Sequence, residues 1–207
     1  EAISSFTEAD QNFENYVYAY HYDGRKRLIE KKIPGKGWEF TVYNAADRPV
    51  FTSDAVQRER NAWSFIKYDA LGRPVMMGEH TVAAGTTRAA LQTAVNNTLK
   101  PVGSTQLYET YNGATGSNNM GYTNSTLPNA DFKIFTVNYY DDYAILNTAA
   151  NPYAALFIQS NGTANESQRT HGMPTVTATN ILGTTTYLYT ATYYTDDKAR
   201  ISKVVKQ

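Results

Sequence analysis

The side chains able to do chemistry are few in kind and widely scattered. Three histidines, His21, His80 and His171, stand far apart, and none has metal-ligand spacing to a second. Cysteine is absent, which removes disulfides, thiol nucleophiles and cysteine-based zinc sites. The acidic pairs Asp141-Asp142 and Asp196-Asp197 could offer oxygens to calcium. Both lie where a turn-forming aspartate is expected, and turn chemistry is the stronger reading. A glycosidase needs two carboxylates at a set separation, and position along a chain does not give that. There is no phosphate-cradling glycine loop, no HExxH, no GxSxG elbow and no EF-hand ligand series. Sequons at Asn96, Asn124, Asn161 and Asn165 read as Asn/Thr-rich loops. The expectation is a chain with no catalytic residue, no cofactor and no metal.

One pattern does recur. In "KYDALGRPV" (67–75) an aromatic is followed at once by Asp, then Gly, then Arg five places after the aromatic: Tyr68, Asp69, Gly72, Arg73. "WEFTVYNAADRPV" (38–50) lies over "WSFIKYDALGRPV" (63–75) with Trp, Phe, Tyr, Ala, Arg, Pro and Val coinciding, so that Tyr43 and Arg48 match Tyr68 and Arg73. A looser copy holds Tyr22, Asp23 and Arg27. Another ends the chain, with Arg200 six places after Tyr194, so one residue is extra or the turn differs. "NYYDDYAIL" (138–146) begins like the others but lacks the Arg.

The unit reads as a hairpin. Trp38, Phe40 and Val42 alternate with Glu39, Thr41 and Tyr43, the period of a strand with two distinct faces. Asp69 to Gly72 suits a type I turn, the Asp side chain accepting from a backbone N–H two residues on. Pro74 is tolerated at the start of the return strand. The spacing predicts Tyr68 and Arg73 as cross-strand neighbours, with the guanidinium on the phenol ring contributing about 0.5–1 kcal/mol. The alternative, a binding site at Asp69 and Arg73, is weaker, because a motif repeated along one chain is usually architecture.

The bulk numbers bound the function. With 19 basic and 19 acidic residues in 207, no basic surface is implied and general nucleic-acid binding is not expected. Mean hydropathy is -0.50. The longest apolar run, "YAALFI" (153–158), is far too short to cross a bilayer. The 17 tyrosines, with abundant Thr and Asn, favour pleated, half-wet strands joined by turns. They predict an all-β, extracellular-looking fold in a single domain over 1–207, with a loop-rich insertion at 100–131. The start at Glu1, without a signal peptide or Met, reads as an excised piece or a processed chain.

The elements that must position the motif follow from this. The segment 1–14 is polar and expected to be loosely packed. In "YVYAYHY" strict alternation puts Tyr16, Tyr18, Tyr20 and Tyr22 on one face. Exposed rings there could stack on sugars, making these four the candidate carbohydrate-binding residues. The plainer reading is that they cover the neighbouring sheet. Strands are expected near 38–43, 48–52, 62–68, 73–82, 132–140 and 184–194, with "AALFIQSNGTANES" (154–167) a strand and turn and "ISKVVKQ" strand-like. "SDAVQRERN" (53–61) reads as a polar connection. In "TTRAALQTAVNNTL" (86–99) the period changes: Ala90, Leu91, Ala94 and Val95 form a helical stripe that Thr86 or Thr87 can cap, predicting one short helix over 86–98. A strand at "TQLYETY" could sit inside the long 100–131 stretch, which is otherwise too long for a structureless loop.

Tyr-Asp followed by Gly-Arg, reiterated at twenty-odd residues, resembles the YD repeats of the RHS (rearrangement hot spot) proteins. The phrases "YDGRKRLIEKKIPG", "WSFIKYDALGRPVMMGE", "FTVNYYDDY" and "GTTTYLYTATYYTDDKAR" are similar to RHS-like cell-surface proteins of Bacteroidetes. The resemblance implies a large secreted or surface-displayed protein whose antiparallel β-hairpins join into a curved sheet, in some members a hollow shell around a C-terminal toxin. It implies non-catalytic repeats whose partners are the remaining repeats of the same polypeptide. Nothing here matches the self-cleaving core or the effector. The chain also departs from the pattern: Asn44 and Asp47 replace the usual Asp and Gly, and no repeat is visible between Gly78 and Phe132.

Overall fold

The computed structural model describes residues 7–98, 107–114, 120–147, 169–195 and 198–206. It is mostly antiparallel β-sheet with a few short helices, the all-β class expected. In chain order the elements are α1 (Gln11–Tyr16), β1 (Ala19–Tyr22), β2 (Leu28–Ile33), β3 (Gly37–Tyr43), β4 (Pro49–Ser53), α2 (Ala55–Glu59), β5 (Ala62–Tyr68), β6 (Pro74–Thr81), α3 (Arg88–Thr98), β7 (Tyr111–Ala114), β8 (Gly121–Tyr122), β9 (Phe132–Tyr140), a 3-10 turn (Ala144–Asn147), β10 (Pro174–Asn180), β11 (Tyr187–Tyr194) and β12 (Ile201–Lys206). Ten strands hydrogen-bond in the order β1-β2-β3-β4-β5-β6-β9-β10-β11-β12, and β7 pairs with β8. The chain divides into two compact units, Glu1–Phe65 with His80–Thr105, and Ile66–Glu79 with Gln106–Gln207.

In the first unit the register sets Val42 opposite Phe51 and Phe51 opposite Phe65. Side chains two apart share a face, so Trp38, Phe40 and Val42 line up with Phe51, Trp63 and Phe65. Val42, Phe51, Trp63 and Phe65 are buried, each contributing about 1.5–3 kcal/mol. Helix α3 adds Leu91 and Val95 to the buried set, and Ala90 and Ala94 of the expected stripe are exposed. Thr87 caps it, its hydroxyl accepting from the Ala90 N–H at 3.1 Å. Gln92 fastens the helix to β3, accepting from the Tyr43 N–H at 3.1 Å and donating to the Tyr43 carbonyl at 2.7 Å.

Three expectations for this unit are corrected. The connection 53–61 contains α2, started by a capping box in which the Asp54 carboxylate accepts from the Gln57 N–H and the Gln57 side chain accepts from the Asp54 N–H. The loosely packed N-terminus contains α1, whose Phe13 is buried. Lys32, fully buried on β2, explains α1. Its ammonium donates to the Phe13 carbonyl at 2.9 Å and the Glu14 carbonyl at 2.6 Å, satisfying carbonyls that a helix C-terminus leaves open. The strict tyrosine strand therefore shortens: Tyr16 ends α1, Tyr18 precedes β1, and only Tyr20 and Tyr22 lie on the strand.

In the second unit Val137 and Tyr139 of β9, Val176 and Ala178 of β10, and Tyr189, Ala191 and Tyr193 of β11 form one buried face. Tyr122 stacks on Tyr139 with ring centroids 5.7 Å apart, and Tyr143 on Tyr193 at 4.8 Å. β10 was not expected from the sequence, and β11 begins at Tyr187 rather than at Thr184, because Thr184 closes a turn onto Ile181. β9 and β5 have the expected bounds, and the C-terminal "ISKVVKQ" supplies β12, paired with β11. The stretch 100–131 carries β7 and β8 among its described residues. The strand and turn expected at 154–167 lie outside the described residues, as do Asp196, Asp197, Asn161 and Asn165.

Candidate functional site

Three copies of the motif build the same turn. The Asp23 N–H donates to the Arg27 carbonyl at 3.0 Å, Asn44 to Arg48 at 2.9 Å, and Asp69 to Arg73 at 3.0 Å. Inside each, a second bond runs from Lys26 to Asp23, Asp47 to Asn44 and Gly72 to Asp69. The residue before the arginine is left-handed: φ is +61° at Lys26, +59° at Asp47 and +81° at Gly72. Gly meets that demand without strain, whereas Lys and Asp do not. The motif's Asp or Asn closes the turn by side chain. Oδ1 of Asp23 accepts from the Arg25 and Arg27 N–H groups, that of Asn44 from Ala46 and Arg48, and that of Asp69 from Arg73.

The left-handed residue adds a bulge, which corrects the expected pairing. Tyr22 stands opposite Leu28, and Tyr43 opposite Pro49, so the tyrosine does not face its own arginine. The arginine turns outward. Nε of Arg27 returns to Asp23 at 2.7 Å, but its guanidinium lies 4.7 Å from the centroid of Tyr43, in the following hairpin, and donates to Asp47 at 2.7 Å. Arg25 joins the same Asp47. Arg73 repeats this in the second unit. Its Nε meets Asp69 at 2.6 Å, its guanidinium lies 4.3 Å from the ring centroid of Tyr140, and it grips Asp141 with two bonds of 2.9 and 2.8 Å. Arg27 and Arg73 thus each hold their own turn and the next hairpin's tyrosine together.

Asp141 is the most perturbed carboxylate of this set. Bonding to Arg73 comes first, aided by the Gly172 N–H, and pulls its pKa down to about 2. The same contacts raise Arg73 above its usual value. The acidic pair 141–142 is therefore turn and tie, with Asp142 accepting from the Ala144 N–H at 2.9 Å. Among the described residues no group of three or more His, Asp or Glu could hold a metal ion.

The remaining motif residues take structural positions. Tyr68 is nearly buried, and its carbonyl accepts from the Glu109 N–H at 2.7 Å. Tyr194 is buried, and its hydroxyl donates to the Pro174 carbonyl at 2.6 Å. In the final copy the Thr195 N–H donates to the Arg200 carbonyl at 2.8 Å, closing a turn one residue longer than the others. Its left-handed residue is Ala199, with φ +58°, again just before the arginine. The four candidate carbohydrate residues are exposed: Tyr16 by 75%, Tyr18 by 62%, Tyr20 by 48% and Tyr22 by 60%.

Two clusters escaped the sequence reading. Lys67 and Glu109 form a fully buried ion pair at 3.2 Å. Lys67 also donates to Asn124 and to the Thr126 carbonyl, and Glu109 accepts from Ser125, Thr126 and the Thr123 hydroxyl. Burial opposes the charge on Glu109, yet Lys67 and these donors outweigh it and hold the carboxyl below its usual range. The other cluster is His21, which bonds Glu30 at 2.7 Å and Glu8 at 2.9 Å, with its ring 4.8 Å from that of Trp38. Glu30 first and then Glu8 raise its pKa, and Arg88 meets the same Glu30 at 2.9 Å.

A cleft of about 310 Å³ lies against Asp69, Arg73, Tyr111, Tyr122 and Tyr140. Another of about 400 Å³ lies against Phe40, Arg58, Trp63 and Arg88. Their cations are already engaged: Arg73 as above, Arg58 4.2 Å over the Phe40 ring, and Arg88 on Glu30. No family model matches the chain, and a search of curated proteins finds no match. Among the described residues no helix is long and apolar enough to cross a membrane.

Proposed function

We propose that the chain is a structural segment of a large secreted or cell-surface protein of the RHS/YD-repeat kind, a set of joined β-hairpins that builds part of a shell or scaffold. The observation that carries the reading is the use made of the motif. Arg27 and Arg73 are committed to fixing one hairpin to the next through Tyr43 with Asp47 and through Tyr140 with Asp141. An arginine gripping a carboxylate with two bonds and stacking on a phenol is a rigid joint. In this reading the remaining repeats of the polypeptide are the partners.

The test is thermal melting of Arg73→Ala against the parent chain. The scaffold reading expects a drop of several degrees, since roughly 1 kcal/mol moves the midpoint of a chain this size by about 2–4 °C. An unchanged midpoint would remove its support. A second reading, a carbohydrate-binding surface at Tyr16, Tyr18, Tyr20 and Tyr22, is favoured by the exposure of all four rings. Glycan-array binding that disappears in Tyr18→Ala/Tyr20→Ala would support it, and an array without hits would end it.

A further inference from the structure

We propose that Tyr22 and the outer edge of β1 form the receiving half of one more joint, and that the partner is a β-hairpin carrying an arginine at the exit of its turn. The inference rests on the scaffold reading and names the partner of that architecture. Its basis is the internal joint, described twice. In each case the tyrosine that ends a hairpin's first strand carries the guanidinium of the hairpin before it: Tyr43 under Arg27, and Tyr140 under Arg73. Both receiving rings are half-buried. Tyr22 holds the same place, immediately before the turn aspartate, but is 60% exposed, and among the described residues β1 is the first strand in the sheet order and pairs with β2 alone.

The neighbouring groups define what the arginine would meet. Asp23 Oδ1 accepts from the Arg25 and Arg27 N–H groups, and Oδ2 is held by the Arg27 guanidinium, so this carboxylate is occupied. Lys26 stands at the turn position of Asp47, so the ion pair that Arg27 makes there has no counterpart. What remains is the Tyr22 ring and the Asp23 carbonyl, the place at which Arg27 meets Asn44 in the next turn at 3.3 Å. The joint therefore depends on the ring face, with strand pairing along β1 supplying the rest. Tyr20, on the same face of β1 and 48% exposed, extends the apolar surface that the incoming strand would cover.

The experiment titrates the full chain with a fluorescent peptide of residues 37–53, "GWEFTVYNAADRPVFTS", which contains the exit arginine Arg48, and reads binding by anisotropy. The inference expects binding that weakens roughly two- to fivefold with an Arg48→Ala peptide and equally with a Tyr22→Leu chain. Combining the two substitutions should weaken it no further. Tyr22→Leu should melt as the parent does, because the ring is exposed. No binding, or binding indifferent to both substitutions, overturns the inference. That result would leave the scaffold reading standing if Arg73→Ala still lowers the melting temperature.

Discussion

The two repeats most alike in sequence, 38–50 and 63–75, bury different chemistry at the same register. Val42 and Lys67 occupy matching places, and both are shut away from water, at 0% and 1% exposure. Val42 meets Phe51 in an apolar face. Lys67 meets Glu109, and through it gathers residues 123–126. The difference separates what the repeat specifies from what it leaves free. Strand and turn recur, whereas the inward residue selects what is packed against the hairpin. A valine needs only neighbouring apolar surface. A buried lysine needs acceptors delivered to it, carbonyls of α1 for Lys32 and for Lys67 a carboxylate that also fastens a non-repeating excursion in place.

The largest break in this comparison is Lys67→Met alone. It strands the Glu109 carboxylate in a dry site and is expected to cost about 3–5 kcal/mol by urea denaturation, whereas Lys67→Met/Glu109→Met should recover much of the loss. The reciprocal change, Val42→Lys, places a cation with no delivered partner in the apolar face and should be comparably damaging. Full stability in Lys67→Met would show that the excursion is held by other means.

Next in size come the joints. Arg73→Ala removes a two-bond grip on a carboxylate and is expected to cost about 1.5–3 kcal/mol. Arg27→Ala should cost less, because its partner Asp47 is 46% exposed and solvent screens the pair. Equal losses would erase the distinction between the two joints. Asp54→Ala, which breaks the capping box of α2, is expected to cost about 1 kcal/mol.

The remaining effects are set by pH. Asp141 is depressed to about 2, so its contribution is present above the ordinary carboxylate range and is lost as pH falls toward 2. His21 is raised, so its contribution is complete below its unfolded value and is lost as pH rises through the raised one. Amide exchange in residues 8–16, which Glu8 ties to His21, should therefore quicken as pH rises, after correction for intrinsic rates, and should lose that dependence in His21→Gln.

Much of the backbone was legible in the sequence. β5 and β9 could be read to the residue, because alternation and flanking turn residues mark both ends. α3 was legible from its change of period and its capping threonine. The bounds of α1 were hidden because a short run of alternating tyrosines suits a strand, and the residue that decides otherwise, Lys32, sits sixteen places after Tyr16. α2 did leave a signal, an Asp followed three places on by Gln, that was outweighed by its polarity. The arginine's destination could not be read from a five-residue spacing, since its tyrosine lies in the following hairpin. For the buried ion pair one clue existed: Lys67 is the single charged residue where the aligned repeat carries an apolar strand residue.

The account stands on the exit arginine tying its own turn to the hairpin that follows. A double-mutant cycle between Arg73→Ala and Asp141→Ala, read by urea denaturation, tests this most directly. The account predicts a favourable coupling of about 1–3 kcal/mol. Losses that simply add, within about 0.5 kcal/mol, would contradict it.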